Sequence, residues 1–139
     1  MRRKTLNSKS SFLLLFSLLL MLGYSCAKQE TKTLEVTATA YNSLPAQTER
    51  KDPATTAWGE ELKPGMKVIA VSRDLIPLGL THNARVRIEG LPGTYRVVDK
   101  MNQRWQKRID IYMGNDVQAA KEWGKKKVTI SWQVEPEKE

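Results

Sequence analysis

Residues 108–114 have the sequence Arg-Ile-Asp-Ile-Tyr-Met-Gly, and this stretch says more about the fold than any other in the chain. Its isoleucines alternate with more polar neighbours, which predicts a β-strand over 108–113. Asp110 stands in the middle of that strand, where partial desolvation would raise its pKa and suit it to act as a general acid. The alternation also allows Asp110 to point outward and pair with an arginine, and spacing alone favours this second interpretation.

Similar short β-rich segments lie on both sides of this stretch. One helix is predicted over Asp116–Trp123, with Asn115 as N-cap and Gly124 at its end. The other predicted strands are 34–41, 67–72, 84–88, 94–99 and 127–134. Six short strands and one helix predict a mainly β protein, built as a small closed barrel without free sheet edges.

The first 25 residues have the pattern of an export signal, with a basic leader followed by an apolar run over Phe12–Leu22. That run is too short to span a membrane as a helix. The leader carries four of the basic residues and no acidic one, so the net charge of +8 over 139 residues falls to +4 for the remainder. No basic stripe interleaved with aromatic residues is present, which disfavours nucleic acid as a partner and leaves anionic envelope polymers as one.

The single cysteine, Cys26, directly follows the export signal. Its position is similar to the lipobox of bacterial lipoproteins, although Gly23 stands where a leucine is usual. In that case Cys26 is lipidated and anchors the chain to a membrane. The alternative is ordinary cleavage after Ala27. We therefore divide the chain into a lipoprotein signal peptide (1–25), a tether (26–33), a barrel domain (34–134) and a charged tail (135–139).

Most enzyme chemistries lack their residues in this sequence. His82 is the single histidine, in a predicted turn, and no zinc spacing, phosphate loop or nucleophile elbow occurs, so we expect no metal and no cofactor. Carboxylates remain as the candidate catalytic groups. Asp99 ends one predicted strand and Asp110 lies inside the next. The long segment over 42–66 lacks periodicity and contains Trp58, which could line a groove or could be a packed surface-loop residue.

Five short motifs occur in an order that resembles the 3D (Asp-Asp-Asp) domain, over residues 34–132. That domain is a double-psi β-barrel related to membrane-bound lytic transglycosylase A and, more distantly, to rare lipoprotein A and expansins. The motifs are Val36-Thr37-Ala38-Thr39-Ala40-Tyr41, Thr56-Ala57-Trp58-Gly59, Ile69-Ala70-Val71-Ser72 with Ile76-Pro77-Leu78-Gly79, Val98-Asp99, and Arg108 to Gly114.

Two of the three aspartates that define the family are present in this chain. The last falls on Asp110 and the middle one on Asp99, whereas the first position is Ser72 and Asp74 comes two residues late. The glycine-rich stretch that follows the middle aspartate in the family is replaced by residues 100–105. The chain is therefore expected to be a variant subgroup.

The resemblance implies lytic transglycosylase-like cleavage of the bond between N-acetylmuramic acid and N-acetylglucosamine, with Asp110 as general acid and base. Asp99 would orient the substrate or raise the pKa of Asp110. The substrate-binding residues would be Thr39, Tyr41, Trp58, Ser72, Lys100, Arg104 and Trp105, with Lys107 as a further cation. Core packing is expected for Trp123 and Trp132.

The alternative function is a non-catalytic protein that binds cell-wall glycan or has a structural role in the envelope. In either case the expected partners are peptidoglycan glycan strands and, through the lipid, a membrane. The expected form is a monomer, at the outer membrane and facing the periplasm.

Overall fold

The computed structural model describes residues 29–43 and 55–134. The predicted signal peptide, Cys26 and the charged tail lie outside the described residues, as do residues 44–54 of the predicted loop. Within the described part the fold is mainly β, with six strands and one short α-helix, as predicted.

The strands close into a barrel in the order β1-β5-β2-β4-β3-β6. They are β1 (Glu30–Tyr41), β2 (Val68–Val71), β3 (Arg85–Ile88), β4 (Tyr95–Lys100), β5 (Arg108–Tyr112) and β6 (Lys126–Val134), and the helix is α1 (Val117–Trp123). The pairs β1/β5 and β2/β4 are parallel and the other four pairs are antiparallel. Closure pairs both edges of every strand, so the predicted closed six-stranded barrel is confirmed.

Aliphatic side chains fill the barrel because they alternate with outward-facing residues along each strand. Ile109 and Ile111 of β5 are fully buried, as are Val36 and Ala38 of β1. Successive side chains of a strand point to opposite faces. Asp110, between the two isoleucines, therefore lies on the outer face of the barrel.

A second, smaller apolar cluster lies on that outer face, beneath residues 55–66, which we call the strap. Leu62 of the strap packs with Val68 of β2, Val98 of β4 and Tyr112 of β5. Tyr41 packs against the same cluster, and its ring centroid is 5.4 Å from that of Tyr112. The strap thus crosses three neighbouring strands and shields part of their outer face from water.

Three local features differ from the sequence predictions. β1 begins at Glu30 rather than Leu34, because residues 30–33 pair with the end of β6. A 3₁₀ helix over Arg73–Leu78 was not predicted. The N-cap of α1 is Asp116 rather than Asn115, since its carboxylate accepts a hydrogen bond from the Ala119 amide at 2.9 Å. None of these differences alters the barrel.

Candidate functional site

Four neighbouring strands bring a row of small and acidic residues together on the outer face of the barrel. Thr39 of β1 is level with Asp110 of β5, and Asp110 is level with Ala70 of β2. Opposite Ile69 and Ala70, a β-bulge at Val98 of β4 shifts the register of the pair, so that Ala70 is level with Asp99. The two aspartates therefore lie on strands with one strand between them, about 10 Å apart from axis to axis.

Asp110 points away from the barrel core and is half-buried. Desolvation by burial raises the pKa of its carboxyl group above the ordinary value. The Thr39 hydroxyl, which donates to Oδ1 at 2.9 Å, lowers this pKa, as does the charge of Arg108, while the charge of Asp99 raises it. Because the net direction is upward, the protonated form persists to higher pH than in an exposed aspartate, as a general acid requires.

The outward direction of Asp110 is the one that its alternation with Ile109 and Ile111 favours. The expected ion pair with an arginine is not present among the described residues. The hydrogen bond to the carboxyl group comes from Thr39 instead. The outward position is therefore combined with desolvation, two properties that the sequence interpretation treated as alternatives.

Asp99 holds the strap against the barrel. Its side chain is buried, with 6% of its surface exposed, and Oδ1 accepts hydrogen bonds from the Ala57 amide at 2.7 Å and the Lys100 amide at 2.8 Å. The first of these bonds joins the strap to β4. Asp99 thus fixes backbone geometry, and its negative charge also raises the pKa of Asp110.

Ser72, at the family's first aspartate position, lies within the barrel wall. It is fully buried, and its hydroxyl accepts a hydrogen bond from the Arg108 amide at 3.0 Å, which joins the end of β2 to the start of β5. Asp74 is exposed, and its carboxylate accepts from the Lys107 amide at 2.9 Å. Neither residue joins the row that contains Asp110, and the Lys107 side chain is exposed.

Trp105 is half-buried and contacts two arginines. The guanidinium carbon of Arg108 lies 3.9 Å from the Trp105 ring centroid, and that of Arg104 lies 5.0 Å from it. Arg108 Nε is buried without a hydrogen-bond partner among the described residues, so stacking on the indole supplies its contact. Arg108 and Asp110 are two residues apart on the same face of β5. Trp105, which stacks on Arg108, therefore lies near Asp110.

Trp58, in the strap, is contacted by a histidine and a lysine. The rings of Trp58 and His82 are stacked at a centroid distance of 5.0 Å, and the ammonium group of Lys100 lies 5.7 Å from the Trp58 centroid. Lys100 directly follows Asp99, which places Trp58 at the Asp99 end of the row. His82 lies in a turn, as predicted, and its exposed side chain forms part of this edge.

A polar cluster that no local sequence pattern indicates holds the other side of the strap. The guanidinium of Arg96 donates to both carboxylate oxygens of Glu60 and also to Asn83 Oδ1 at 2.7 Å. The hydrogen bonds from Arg96 are the main cause that lowers the pKa of Glu60. This pair joins residues 36 positions apart, so no local pattern could have revealed it.

The remaining predicted residues occupy structural positions. Trp132 is core, with 4% of its surface exposed, and its indole donates to the Leu78 carbonyl at 3.1 Å. Trp123 is half-buried against the core, with the Lys126 ammonium 3.7 Å from its ring centroid.

In residues 29–43 and 55–134, no three His, Cys, Asp or Glu side chains are grouped so as to hold a metal ion. None of the helices in these ranges has the length and apolar character needed to cross a membrane.

No protein-family model matches the chain, and no curated protein matches its sequence. Among solved structures, the chain is similar to an apo expansin of Clavibacter michiganensis, with a TM-score of 0.44 and 17% identity over 78% of this chain and 53% of the expansin. A point mutant of Clavibacter michiganensis expansin in complex with cellohexaose gives a TM-score of 0.44 and 16% identity over 78% of this chain and 54% of that one. The chain thus spans about half the length of the expansins, and this distant similarity assigns no activity to it.

Proposed function

We propose that this chain binds the glycan strands of peptidoglycan along the outer face of the barrel beside Asp110. The observation that carries the proposal is the Thr39–Asp110 pair with a half-buried tryptophan on each of two neighbouring features, Trp105 against Arg108 of the same strand and Trp58 at the Asp99 end of the row. Sugar hydroxyls need both donors and acceptors, and sugar rings pack on aromatic surfaces. The row offers both kinds of contact.

The cations beside these tryptophans favour an anionic glycan. Lys100 contacts Trp58, while Arg104 and Arg108 contact Trp105. Guanidinium groups pair with carboxylates through two parallel hydrogen bonds, and the stem peptides on N-acetylmuramic acid carry carboxylates. A sugar ring on Trp105 would displace the exposed Arg104 from the indole and leave Arg104 beside the carboxylate.

We place this activity in the cell envelope and assign the barrel to the 3D domain family with its double-psi topology. The motif order over residues 34–132 and the export signal support this assignment. Lipidation of Cys26 would anchor the chain, and the outer membrane, facing the periplasm, is the proposed location. Mass spectrometry of the mature N-terminus tests the anchor, because an unmodified chain that begins at Lys28 would refute it.

Lytic transglycosylase activity is the second candidate, and the raised pKa of Asp110 favours it. Protonated Asp110 would donate its proton to the glycosidic oxygen as the bond from C1 to that oxygen breaks. The carboxylate would then accept the proton of the sugar's own C6 hydroxyl as O6 bonds to C1. The products are a 1,6-anhydro end and a free hydroxyl end, without consumption of water.

Binding is tested by pull-down of the purified protein with isolated sacculi. Trp105→Ala should reduce the bound fraction several-fold, since packing of a ring on an aromatic side chain contributes on the order of 1 kcal/mol. Trp123→Ala is the matched control, because Trp123 is also half-buried and contacted by a cation but lies on α1. Equal binding by the Trp105 variant and the control would refute the position of the groove.

Catalysis is tested by incubation of sacculi with the protein, followed by mass spectrometry of the released muropeptides. 1,6-Anhydro products that disappear in Asp110→Asn and persist in Asp74→Asn would support the second candidate. If no such products form while Trp105-dependent binding is retained, the chain is a binding protein. Product formation by Asp110→Asn would exclude Asp110 as the acid.

A further inference from the structure

A second polar surface lies on the outer face of β1, β6 and β3, and the strand registers define its layout. Ser131 of β6 is level with Thr33 of β1 on one side and with Arg87 of β3 on the other. One step along the strands, Gln133 is level with Thr31, and the same antiparallel register brings Arg85 level with Gln133. We call this surface the arginine face, and its members are Thr31, Thr33, Arg85, Arg87, Ser131 and Gln133.

The two arginines of this face carry charge that the protein does not neutralise. Arg85 and Arg87 are exposed, and neither side chain makes a hydrogen bond or ion pair within the described part of the chain. The acidic side chains one row further along are already engaged. Glu35 pairs with Lys127 at 3.3 Å, and the Glu89 carboxylate accepts from the Thr129 amide at 2.8 Å.

Two shallow cavities lie on the arginine face and share Arg87 and Ser131. One has a volume of about 540 Å³ and is also lined by Arg85, Thr31 and Gln133. The other, of about 550 Å³, is also lined by Glu89 and Thr129. The lining of the first cavity contains hydroxyl, amide and guanidinium donors and no carboxylate.

We propose that the arginine face is a binding site for a phosphate group. Arg85 and Arg87 lie two residues apart on one face of a strand, a spacing of about 6.5 Å at which both guanidinium groups can reach the same anion. A guanidinium presents parallel donors that match the oxygens of a phosphate, and hydroxyl and amide donors around it can bind the remaining oxygens. A planar carboxylate has fewer acceptor oxygens for this set of donors.

The arginine face is distinct from the site that contains Asp110. Thr31, at one edge of the face, precedes Thr39 by eight residues on β1, which corresponds to about 26 Å along the strand. The proposal therefore does not depend on glycan binding or cleavage, and its test needs no activity measurement.

The test compares two charge-matched double variants of the chain from residue 26, with Cys26→Ser so that no lipid is attached. All six strands lie within Glu30–Val134, so this chain keeps the whole barrel. Arg85→Gln/Arg87→Gln removes the proposed site. Lys121→Gln/Lys125→Gln removes the same charge from exposed positions on and after α1 and is the control.

Two probes distinguish the source of the phosphate. Inorganic phosphate is titrated while amide NMR shifts are followed, and vesicles of phosphatidylglycerol or phosphatidylcholine are used for co-sedimentation. Hydrogen bonds to charged groups predict that the Arg85/Arg87 variant binds about tenfold more weakly, while the control stays within about twofold of the unmodified chain. Binding should weaken as salt is added.

Each outcome bears on the proposal. Saturable shifts at Arg85, Arg87 and Ser131 that the arginine variant lacks support a site for soluble phosphate groups. Arginine-dependent sedimentation with phosphatidylglycerol alone, without such shifts, supports a lipid headgroup as the ligand. If neither probe distinguishes the arginine variant from the lysine control, the proposal is refuted.

Discussion

Replacement of Asp110 by asparagine should make the protein more stable at neutral pH while removing its candidate acid. Burial raises the pKa of Asp110 in the folded protein above the value near 3.9 that an unfolded chain gives. At a pH above the unfolded pKa, Asp110 in the folded protein is either a desolvated carboxylate or still protonated. In the unfolded chain the same group has already lost its proton. Both possibilities lower the free energy of unfolding, and asparagine avoids them.

The expected size follows from two opposing contributions at the Asp110 side chain. Asparagine removes the desolvation cost of the carboxylate. The hydrogen bond from Thr39 to Oδ1, 2.9 Å long, is retained but is weaker by about 1 kcal/mol when its acceptor is an amide rather than a carboxylate. We expect a net gain of about 1 kcal/mol at pH 7, the scale on which single stabilising substitutions act. In a domain of this size that gain corresponds to a rise in Tm of roughly 4–8 °C.

The assay is urea unfolding of the two proteins at pH 3 and pH 7, with Asp74→Asn as the control for an exposed carboxylate. The gain should be nearly absent at pH 3, where aspartate is protonated in both states, and should develop as pH rises through the unfolded and then the folded pKa. A gain of equal size at both pH values would show that protonation is not its cause. If the Asp110→Asn variant is no more stable than the unmodified protein at pH 7, desolvation is not the dominant influence on the pKa of Asp110.

Three further predictions concern the strap and one turn. Asp99→Ala should destabilise the fold by about 2 kcal/mol and accelerate hydrogen exchange at the Ala57 amide, whereas Asp99→Asn, which keeps an acceptor oxygen, should do so much less; equal exchange in both variants would contradict the anchoring role. In chemical denaturation, Glu60→Gln should lower the free energy of unfolding by about 1 kcal/mol at pH 7 and by little at pH 3. The hydrogen bonds from Arg96 lower the pKa of Glu60, so the stabilisation that they provide is lost as pH falls through that pKa. Gly79→Ala should lower Tm by an amount equivalent to about 2 kcal/mol, because φ is +105° and the added Cβ would lie 2.7 Å from a valine methyl of β6; an unchanged Tm would contradict this.

Much of the barrel could be predicted because the strands are marked by local alternation. In β3, Val86 and Ile88 are buried while Arg85 and Arg87 are exposed, as the pattern of that segment indicates. The first residues of β1 are polar and carry no such mark, so Glu30 enters the strand only because β6 extends far enough to pair with it. Such pairing depends on register between distant segments, which local sequence does not encode.

The residues of the candidate site could be predicted from the sequence, but most of the contacts between them could not. Thr39 and Asp110 were both predicted as site residues, but their hydrogen bond depends on the parallel register of β1 and β5. The position of Asp99 depends on a β-bulge at Val98 of β4. The bond from the Ala57 amide to Asp99 depends on the strap, whose path follows from packing of Leu62 rather than from any periodicity.

The role of Asp99 limits the chemistry that this site could perform. Glycosidases that use water employ two carboxylates, the second as nucleophile or as base. Asp99 is the nearest second carboxylate in the row, but its Oδ1 accepts bonds from two backbone amides and holds the strap in place. Because Asp99 is buried and its Oδ1 is already occupied by these two amides, Asp99 is poorly placed to activate a water molecule. A reaction here would therefore use Asp110 alone, and intramolecular attack by a sugar hydroxyl is the route that requires one acid. Cleavage that yields reducing ends instead of 1,6-anhydro ends would contradict this reasoning.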